Sequence, residues 1–465
     1  MSRHIGSALV SYRALGGGAR RYLLHVALST AALTIPQLFY NLAVLALGYP
    51  RTLLGALSTV TFVVAAALGG PLWLLAGRLG LVRALAAAGA LQAIGLALFA
   101  GGRIELLYVS AACFGAASVL AQVSATPLQM RLSDATQRDA LFSAASAVAL
   151  GVSGLSALLA GGLPGALVRG GWASGAAGGY LAAHGVAAAG AALAVLPLIG
   201  LEMRGPANQR TSEPANQRTS ELANQRTSEL ENQRTSEPTN QKTSELEDQT
   251  ERSDQTERQR PDGAAASWRA RVDATLELLP PWRELATLLL PIALISIGAA
   301  LLIPYLNLFF HDRFGVDDVT LGAIFAGLDV ATGAALLCGP ALAMRFGAMR
   351  TLMVTRALAL PCTLLLGFAP LLGVAVGAAL LRVVLFNMAS PLYDAYAMGR
   401  CAPRGRTLLV GLLGAASSVG YAVGPLISTA VQQRYGWAPL FVAVTAIYGL
   451  SVLALWPAMS SQARA

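Results

Sequence analysis

The sequence predicts an all-α integral membrane protein whose twelve transmembrane helices form two pseudo-symmetric six-helix bundles. Hydrophobic residues make up 55% of the 465 positions and charged residues only 12%, whereas soluble domains carry roughly 25% charged residues. The apolar residues lie in runs of membrane-spanning length. These runs fall into two sets of six that share short motifs at a nearly constant offset. A soluble chain could not bury so much apolar surface, so a soluble protein is excluded.

The apolar runs define the spans in order. Each run is close to the roughly 20 residues with which an α-helix crosses about 30 Å of hydrocarbon. The runs are continuously apolar, without the alternation of a barrel strand, and their many Gly and Ala residues suit close helix packing in lipid. The first set covers approximately residues 22–46, 53–76, 80–101, 104–128, 140–163 and 180–202, and the second covers approximately 284–310, 320–343, 351–371, 373–397, 407–431 and 437–457.

The polar interlude between the two sets contains a tandem octad. Asn-Gln-Arg-Thr-Ser-Glu begins at Asn208 and returns every eight residues up to Asn240, where lysine replaces the arginine. A polar repeat of this kind cannot build a packed core, so it predicts disorder. It is either an expanded coding repeat without a selected role or a tether that docks a partner. After it, apolar residues at helical spacing between Trp268 and Leu279 predict a short interfacial helix.

The positions of the arginines orient the spans. Proteins of this class keep an excess of Lys and Arg in their cytoplasmic loops. Five arginines fall on one side of the predicted membrane, namely Arg51, Arg103, Arg169, Arg313 and Arg434. Fifteen fall on the other side, namely Arg3, Arg13, Arg20, Arg21, Arg78, Arg83, Arg131, Arg138, Arg345, Arg350, Arg356, Arg400, Arg404, Arg406 and Arg464. The second side is therefore predicted to be cytoplasmic, in a bacterial cytoplasmic membrane.

These patterns together divide the chain into domains. We expect both tails and the linker to be cytoplasmic. The predicted order is a tail (1–21), the first bundle (22–202), a linker (203–283) with octads at about 207–260 and the interfacial helix at about 268–279, the second bundle (284–457) and a second tail (458–465).

Four short motifs recur in the two halves at equivalent places. Each match is weak alone, but their common offset of 264 to 268 residues indicates a duplicated bundle. The pairs are Ala31–Leu38 with Ala299–Leu306, Leu54–Ala56 with Leu321–Ala323, Arg78–Arg83 with Arg345–Arg350, and Thr126–Leu128 with Ser390–Leu392.

With this layout the chain resembles the Major Facilitator Superfamily. The resemblance covers both membrane halves and rests on the six-plus-six spans, the long central loop and the Gly/Arg loop after spans two and eight. Gly77 and Trp73 stand where the family pattern has an aspartate and a glycine. The resemblance implies a transporter that works by alternating access. It implies gating loops at Arg78, Gly80 and Arg83, and at Arg345, Gly347 and Arg350.

Two charged residues lie deep inside predicted spans. Asp329 and Arg382 are each about nine residues into an even-numbered span, which places them at similar depth. Charge inside hydrocarbon is costly, so we expect the two side chains to form a pair. The pair either couples transport to a proton on Asp329 or holds Arg382 ready for an anionic solute group; the alternative is a purely structural ion pair.

Further polar residues surround this pair on the spans expected to line a central path. They either orient a polar solute or bond one helix to another. The candidates are Gln37 and Asn41 in span one, Gln122 in span four, Tyr305 and Asn307 in span seven, and Asn387, Tyr393 and Asp394 in span ten. Pro36 and Pro304 each free a backbone carbonyl in a lead helix, so we expect a hinge at both.

Motifs for chemistry are not found in the sequence. The histidines are scattered, and the HExxH, GxSxG and Walker patterns do not occur. We therefore expect no enzyme, no cofactor and no metal, but a monomeric, gradient-driven transporter of a small solute with a possible coupling proton. The alternatives are a non-transporting scaffold or sensor that signals through the linker, and, within transporters, a proton-coupled drug efflux antiporter. The sequence does not identify the solute.

Overall fold

The computed structural model of the protein describes residues 16–134, 137–201, 280–388, 390–401 and 406–456, and the regular structure within these ranges is entirely helical. The described residues belong to one compact unit. The octads and the predicted interfacial helix lie outside the described residues, as do most of the N-terminal tail and the C-terminal tail.

The described helices form twelve consecutive spans, and eleven of them are long and apolar enough to cross a membrane. The twelfth is apolar but has only 17 residues. The spans are α1 Gly17–Ala46, α2 Arg51–Leu79, α3 Leu81–Phe99, α4 Ile104–Leu132, α5 Arg138–Gly161 continued by Leu163–Arg169, α6 Gly175–Leu193, α7 Trp282–Leu302 continued by Leu306–Phe314, α8 Asp318–Phe346, α9 Ala348–Phe368, α10 Leu372–Asn387 continued by Ser390–Gly399, α11 Arg406–Tyr435 and α12 Ala438–Ala454.

Two spans that the sequence treats as continuous are interrupted. In α7 a short 3₁₀ turn over Ile303–Tyr305 separates the two helical parts. In α10 the first part ends at Asn387 and the second begins at Ser390. Pro304 explains the first break, because proline has no N–H for the helical hydrogen bond. Its counterpart Pro36 lies inside an unbroken helix, so the two predicted hinges differ in backbone structure.

The internal repeat is visible in the backbone at the turns after α2 and α8. Gly80 and Gly347, 267 positions apart, have φ angles of 84° and 86°, values that side-chain-bearing residues rarely adopt. Their N–H groups donate to Ala76 and Ala343 at 3.0 and 2.9 Å, the same bond in each half. We call the side of the molecule that carries these turns the motif side. The opposite side, with the turns at Gly48 and Gly315, is the far side.

The bundles α1–α6 and α7–α12 meet along two seams. One seam joins α2 to α11 and the other joins α5 to α8, as a twofold relation between duplicated halves requires. A single cluster of buried apolar side chains, including Leu38, Leu54 and Phe309, runs through both bundles. A smaller cluster around Ala76 and Leu120 lies toward the motif side and is confined to the first bundle.

Candidate functional site

The seams between the bundles are closest at two equivalent glycines. A methyl group added to Gly55 of α2 would lie 2.8 Å from the carbonyl oxygen of Pro425 in α11. A methyl group added to Gly322 of α8 would overlap the carbonyl oxygen of Ala157 and lie 3.0 Å from the Cα atom of Gly161, both in α5. Glycine lets two helix backbones approach this closely. The repeated Leu-Gly-Ala motif therefore marks where each half touches the other.

A reciprocal asparagine clamp joins α1 to α7 beside these seams. Asn41 Nδ2 donates to Asn307 Oδ1 at 2.9 Å and to the carbonyl of Pro304 at 2.6 Å. Asn307 Nδ2 donates back to the carbonyl of Leu38 at 2.8 Å. Each asparagine thus bonds the carbonyl three residues before the other one, and both side chains are buried. We call these two residues the asparagine clamp.

The break in α7 makes this clamp possible. In an unbroken helix the Pro304 carbonyl would accept from the N–H of Leu308. Here the Leu308 N–H donates instead to Asn307 Oδ1 at 2.9 Å, which leaves the Pro304 carbonyl available to Asn41. The clamp therefore satisfies backbone groups that the break in α7 leaves without helical partners.

Charged and aromatic groups complete the closure at the far rim. Arg51, which begins α2, forms a salt bridge of 2.7 Å with Asp312 near the end of α7. Trp437 Nε1 also donates to Asp312, at 3.2 Å. On the other seam Tyr180 of α6 donates to Asp318 of α8 at 2.9 Å. These contacts, and the hydrogen bond from Thr59 of α2 to the carbonyl of Ala422 in α11, lie between the far rim and mid-span.

Asp329 and Arg382 do not form the predicted pair. Asp329 Oδ2 accepts a hydrogen bond of 2.6 Å from Ser153 of α5, across the seam between the bundles. Arg382 points into the second bundle, where its Nη2 donates to Tyr448 of α12 at 3.2 Å. Asp329 lies 11 residues and Arg382 lies 10 residues from the start of its helix. The pairing was wrong because the two side chains leave their helices toward different neighbours.

A third buried charge, Arg356 of α9, was placed with the cytoplasmic arginines by the sequence analysis. It lies eight residues into the helix, about 12 Å from its end, and is only 4% exposed. Its guanidinium lies over the rings of Tyr393 and Phe386, at 5.1 and 5.9 Å from their centroids. The count of fifteen cytoplasmic arginines therefore included Arg356, which lies inside a span. Its position within the predicted span 351–371 was the signal that could have found it.

The two buried arginines share one aromatic ring. Arg382 lies 5.7 Å from the Phe386 centroid and 5.7 Å from that of Tyr448. Within the described chain, Nε of both arginines and Nη1 of Arg356 are buried without a hydrogen-bond acceptor. No carboxylate of the described residues forms an ion pair with either one.

Arg356 lines a cavity of about 270 Å³ on the wall of the second bundle. Tyr421 of that wall packs on Phe62 of α2 with ring centroids 5.0 Å apart, which places the cavity beside the interface between the bundles. The cavity lining comprises Ile292, Ile295, Ser296, Ala299, Arg356, Phe386, Ser390, Tyr393, Asp394, Ser417 and Tyr421.

The remaining polar candidates divide into exposed and bonded residues. Gln37 and Gln122 are exposed side chains of the first bundle, and Gln37 lies one helical turn from Asn41 on the same face of α1. Tyr305 is buried and its hydroxyl lies 3.5 Å from the carbonyl of Pro425. Asn387 donates to Thr332 at 3.2 Å inside the second bundle. Of these residues the two glutamines have side chains open to a ligand, as does Asp394 of the cavity lining.

The arginines of the motif-side turns are exposed and make no ion pair within the described residues. They are Arg78 and Arg83 in the first half and Arg345 and Arg350 in the second. The searched part of the chain also contains no group of His, Cys, Asp and Glu side chains that could hold a metal ion.

Comparison with known proteins gives one family match. A family model described as Major Facilitator Superfamily matches residues 23–407. No curated protein sequence matches the chain.

Several solved structures share the fold. A bacterial homologue of the human lysosomal transporter Spinster, inward-facing and occupied, matches with a TM-score of 0.66 at 14% identity, covering 95% of this chain and 96% of its own. The nucleoside transporter NupG gives 0.63 at 13% identity, covering 95% and 98%. PepTSo2, crystallised as a tetramer, gives 0.60 at 14% identity, covering 96% and 99%.

Proposed function

The chain belongs to the Major Facilitator Superfamily and is a secondary transporter, and on this premise we propose that it moves a small solute by alternating access between its two bundles. Rocking of one bundle against the other exposes a site near mid-membrane to each side in turn. Solute or proton gradients drive the movement, and one chain contains the complete path, so it works as a monomer.

One observation carries this proposal: the closure between the bundles is one-sided. The asparagine clamp, both glycine seams and the Arg51–Asp312 salt bridge all lie in the far half. Toward the motif side, the smaller apolar cluster around Ala76 and Leu120 stays within the first bundle. The arginine bias assigns the motif side to the cytoplasm. The described state is then inward-facing, with its solute path closed to the outside.

The solute path runs between the clamp and the cavity wall of the second bundle. Gln37 lies one helical turn from Asn41 of the clamp, toward the motif side. Gln122 of α4 supplies a second amide. Arg356 and Tyr393 line the opposite wall. The guanidinium supplies donors and the two exposed amides supply donors and acceptors for a polar solute, whereas the Tyr393 hydroxyl is already bonded to the carbonyl of Leu288. The motif-side arginines remain candidates for the gating contacts of the opposite, outward-facing state.

Asp329 is the proposed site of the coupling proton. Its carboxylate accepts a hydrogen bond from Ser153 of the other bundle, so its surroundings change whenever the α5–α8 seam opens. A carboxyl group whose environment differs between two states binds its proton with different affinity in each, and proton binding then favours one of them.

Counterflow in proteoliposomes tests the proposed function. Purified protein is reconstituted with a panel of unlabelled solutes inside, and uptake of each labelled solute is measured. We expect accelerated uptake for at least one solute, without added ATP, and the same uptake after deletion of residues 207–260. Absence of counterflow for the whole panel in either direction of gradient would contradict transport. Loss of activity on the deletion alone would favour a sensor that signals through the linker.

A further inference from the structure

The geometry around Arg356 points to a subsite for a carboxylate group of the transported solute. We propose that Arg356 binds this group in the 270 Å³ cavity. The proposal rests on the proposed transport function, because it names the chemical class of solute that the central path accepts.

The first step of the argument is the cost of burying Arg356. A guanidinium remains charged at every pH at which the protein is folded. Moving it out of water costs several kcal/mol unless a partner compensates. Arg356 is 4% exposed, and its Nε and Nη1 atoms find no acceptor in the described residues. Its contacts with Tyr393 and Phe386 are cation–π contacts, which compensate only part of that cost. The site therefore holds a positive charge whose donors are only partly used.

Arg382 adds a second positive charge behind the first. It lies on Phe386 and Tyr448 and does not line the cavity. It can affect a ligand only by holding Phe386 in place and by its electrostatic field, so it is a positioning residue. The carboxylate of Asp394 interacts with Arg356, but it offsets only one of the two guanidiniums, so the region remains favourable for an anion.

The chemistry of the lining selects among anions. A carboxylate matches the fork of a guanidinium with two parallel hydrogen bonds. Ser390 and Tyr421 contribute hydroxyl groups, and Ile292 and Ile295 contribute apolar surface for the rest of a small organic solute. Asp394 also lines the cavity, and its negative charge repels a dianion more than a monoanion. A small organic monocarboxylate therefore fits better than a phosphate monoester.

Thermal unfolding of the purified full-length protein in detergent tests this proposal without requiring transport. The probes are benzoate and butyrate, each paired with its neutral amide, benzamide and butyramide, and phenyl phosphate. We expect at least one carboxylate to raise the Tm of the wild type more than its amide does. An equal effect of acid and amide, or no effect of either carboxylate, would overturn the carboxylate subsite.

Variants locate the site. Arg356→Gln is expected to raise the half-saturating carboxylate concentration by roughly tenfold or more, the loss expected for a charge-assisted hydrogen bond. Arg356→Lys keeps the positive charge but lacks the guanidinium fork, so its half-saturating concentration should lie between those of the wild type and Arg356→Gln. Arg103→Gln, at an exposed arginine of the first bundle, is the matched control and should bind as the wild type does. Unchanged binding in Arg356→Gln would overturn the assignment, and comparison of acid with amide in the wild type decides the question if that variant does not fold.

Asp394→Asn tests whether the carboxylate of Asp394 is what makes the cavity prefer a monocarboxylate to a phosphate monoester. It removes the repulsion inside the cavity and should improve binding of phenyl phosphate relative to benzoate. Tighter binding of phenyl phosphate than of benzoate in the wild type would contradict the carboxylate preference. Carboxylate binding without counterflow of any carboxylate would leave the subsite standing and contradict the proposed function alone.

Discussion

The two bundles have the same backbone plan and different interiors. In the first bundle, the charged residues of the described chain lie near the helix ends, whereas the second bundle carries Asp329, Arg356 and Arg382 well inside its spans. The turns at Gly80 and Gly347 have nearly the same φ angle in both. Duplication therefore kept the structure that lets the bundles approach each other, while charge accumulated in only one of them.

This difference separates the contacts that close the bundles from the side chains that suit a charged ligand. Contacts that close the far side come in equivalent pairs, one from each half, such as Gly55 with Gly322 and Asn41 with Asn307. Groups suited to a charged ligand come from the second bundle alone. Equivalent substitutions at the seams should therefore have equal effects, and removal of interior charge should have an effect only in the second bundle.

The largest expected effect concerns the glycine seams. Gly55→Leu and Gly322→Leu each place a side chain against the backbone of the opposite bundle, and overpacking of this kind costs about 1–3 kcal/mol or more. Because the cost falls only on the far-closed state, counterflow should drop by roughly tenfold or more in both variants. Gly377→Leu, where an added Cβ has no neighbour within 4 Å, is the control. An effect in one seam and not in the other would break the symmetry of the two halves.

The next effect concerns the proposed coupling residue. Asp329→Asn keeps the hydrogen bond with Ser153 possible but cannot exchange a proton. We expect it to abolish solute accumulation driven by a pH gradient and to leave counterflow within about twofold of wild type, since exchange of solute for solute requires no net proton movement. Glu105→Gln, in the exposed rim of the first bundle, should change neither activity. Full accumulation by Asp329→Asn would remove this residue from the coupling mechanism.

A smaller effect is expected for the asparagine clamp. Asn41→Ala or Asn307→Ala leaves buried polar groups without partners, which costs about 1–3 kcal/mol. Each variant should raise the rate at which an external, membrane-impermeant maleimide labels Gln37→Cys in a protein without native cysteines. Because both asparagines share one set of bonds, the double variant should cost less than the sum of the single ones. Additive effects would show that the two residues act independently.

The smallest effect belongs to the far-rim salt bridge. Arg51 and Asp312 are 28% and 21% exposed, and partly exposed ion pairs contribute about 0–1 kcal/mol. Asp312→Asn should therefore raise external labelling of Gln37→Cys by less than about fivefold. High salt should diminish the difference from wild type. An effect larger than that of Asn307→Ala would place the main closure at the rim instead of at the clamp.

The sequence was sufficient for the fold because hydropathy and the repeat act over long stretches. Span order, the two bundles and the equivalence of the Gly80 and Gly347 turns all follow from runs of about 20 residues and from one offset. Membrane helices must also satisfy their own backbone hydrogen bonds, which leaves few alternatives for such a pattern.

The site was harder to predict because it depends on helix rotation. Depth along a span follows from counting residues, which is why similar depths were predicted for Asp329 and Arg382. Which neighbour a side chain meets depends on rotation about the helix axis and on crossing angles, which hydropathy does not fix. For the same reason the sequence left open whether Asn41 and Asn307 orient a solute or bond one helix to another, and the structure has them bonded to each other. Arg356 was counted with the loops although it is buried in α9.

Distances between spin labels on the two bundles test the central claim most directly. One pair is placed on the far side, at Thr52 and Arg313, and a second pair on the motif side, at the equivalent residues Leu79 and Phe346, in separate proteins without native cysteines. Alternating access predicts two populations, one with a long far-side and a short motif-side distance and one with the reverse. Gly322→Leu should enrich the population with the long far-side distance. Distances that stay fixed, or that lengthen together on both sides, would contradict the account.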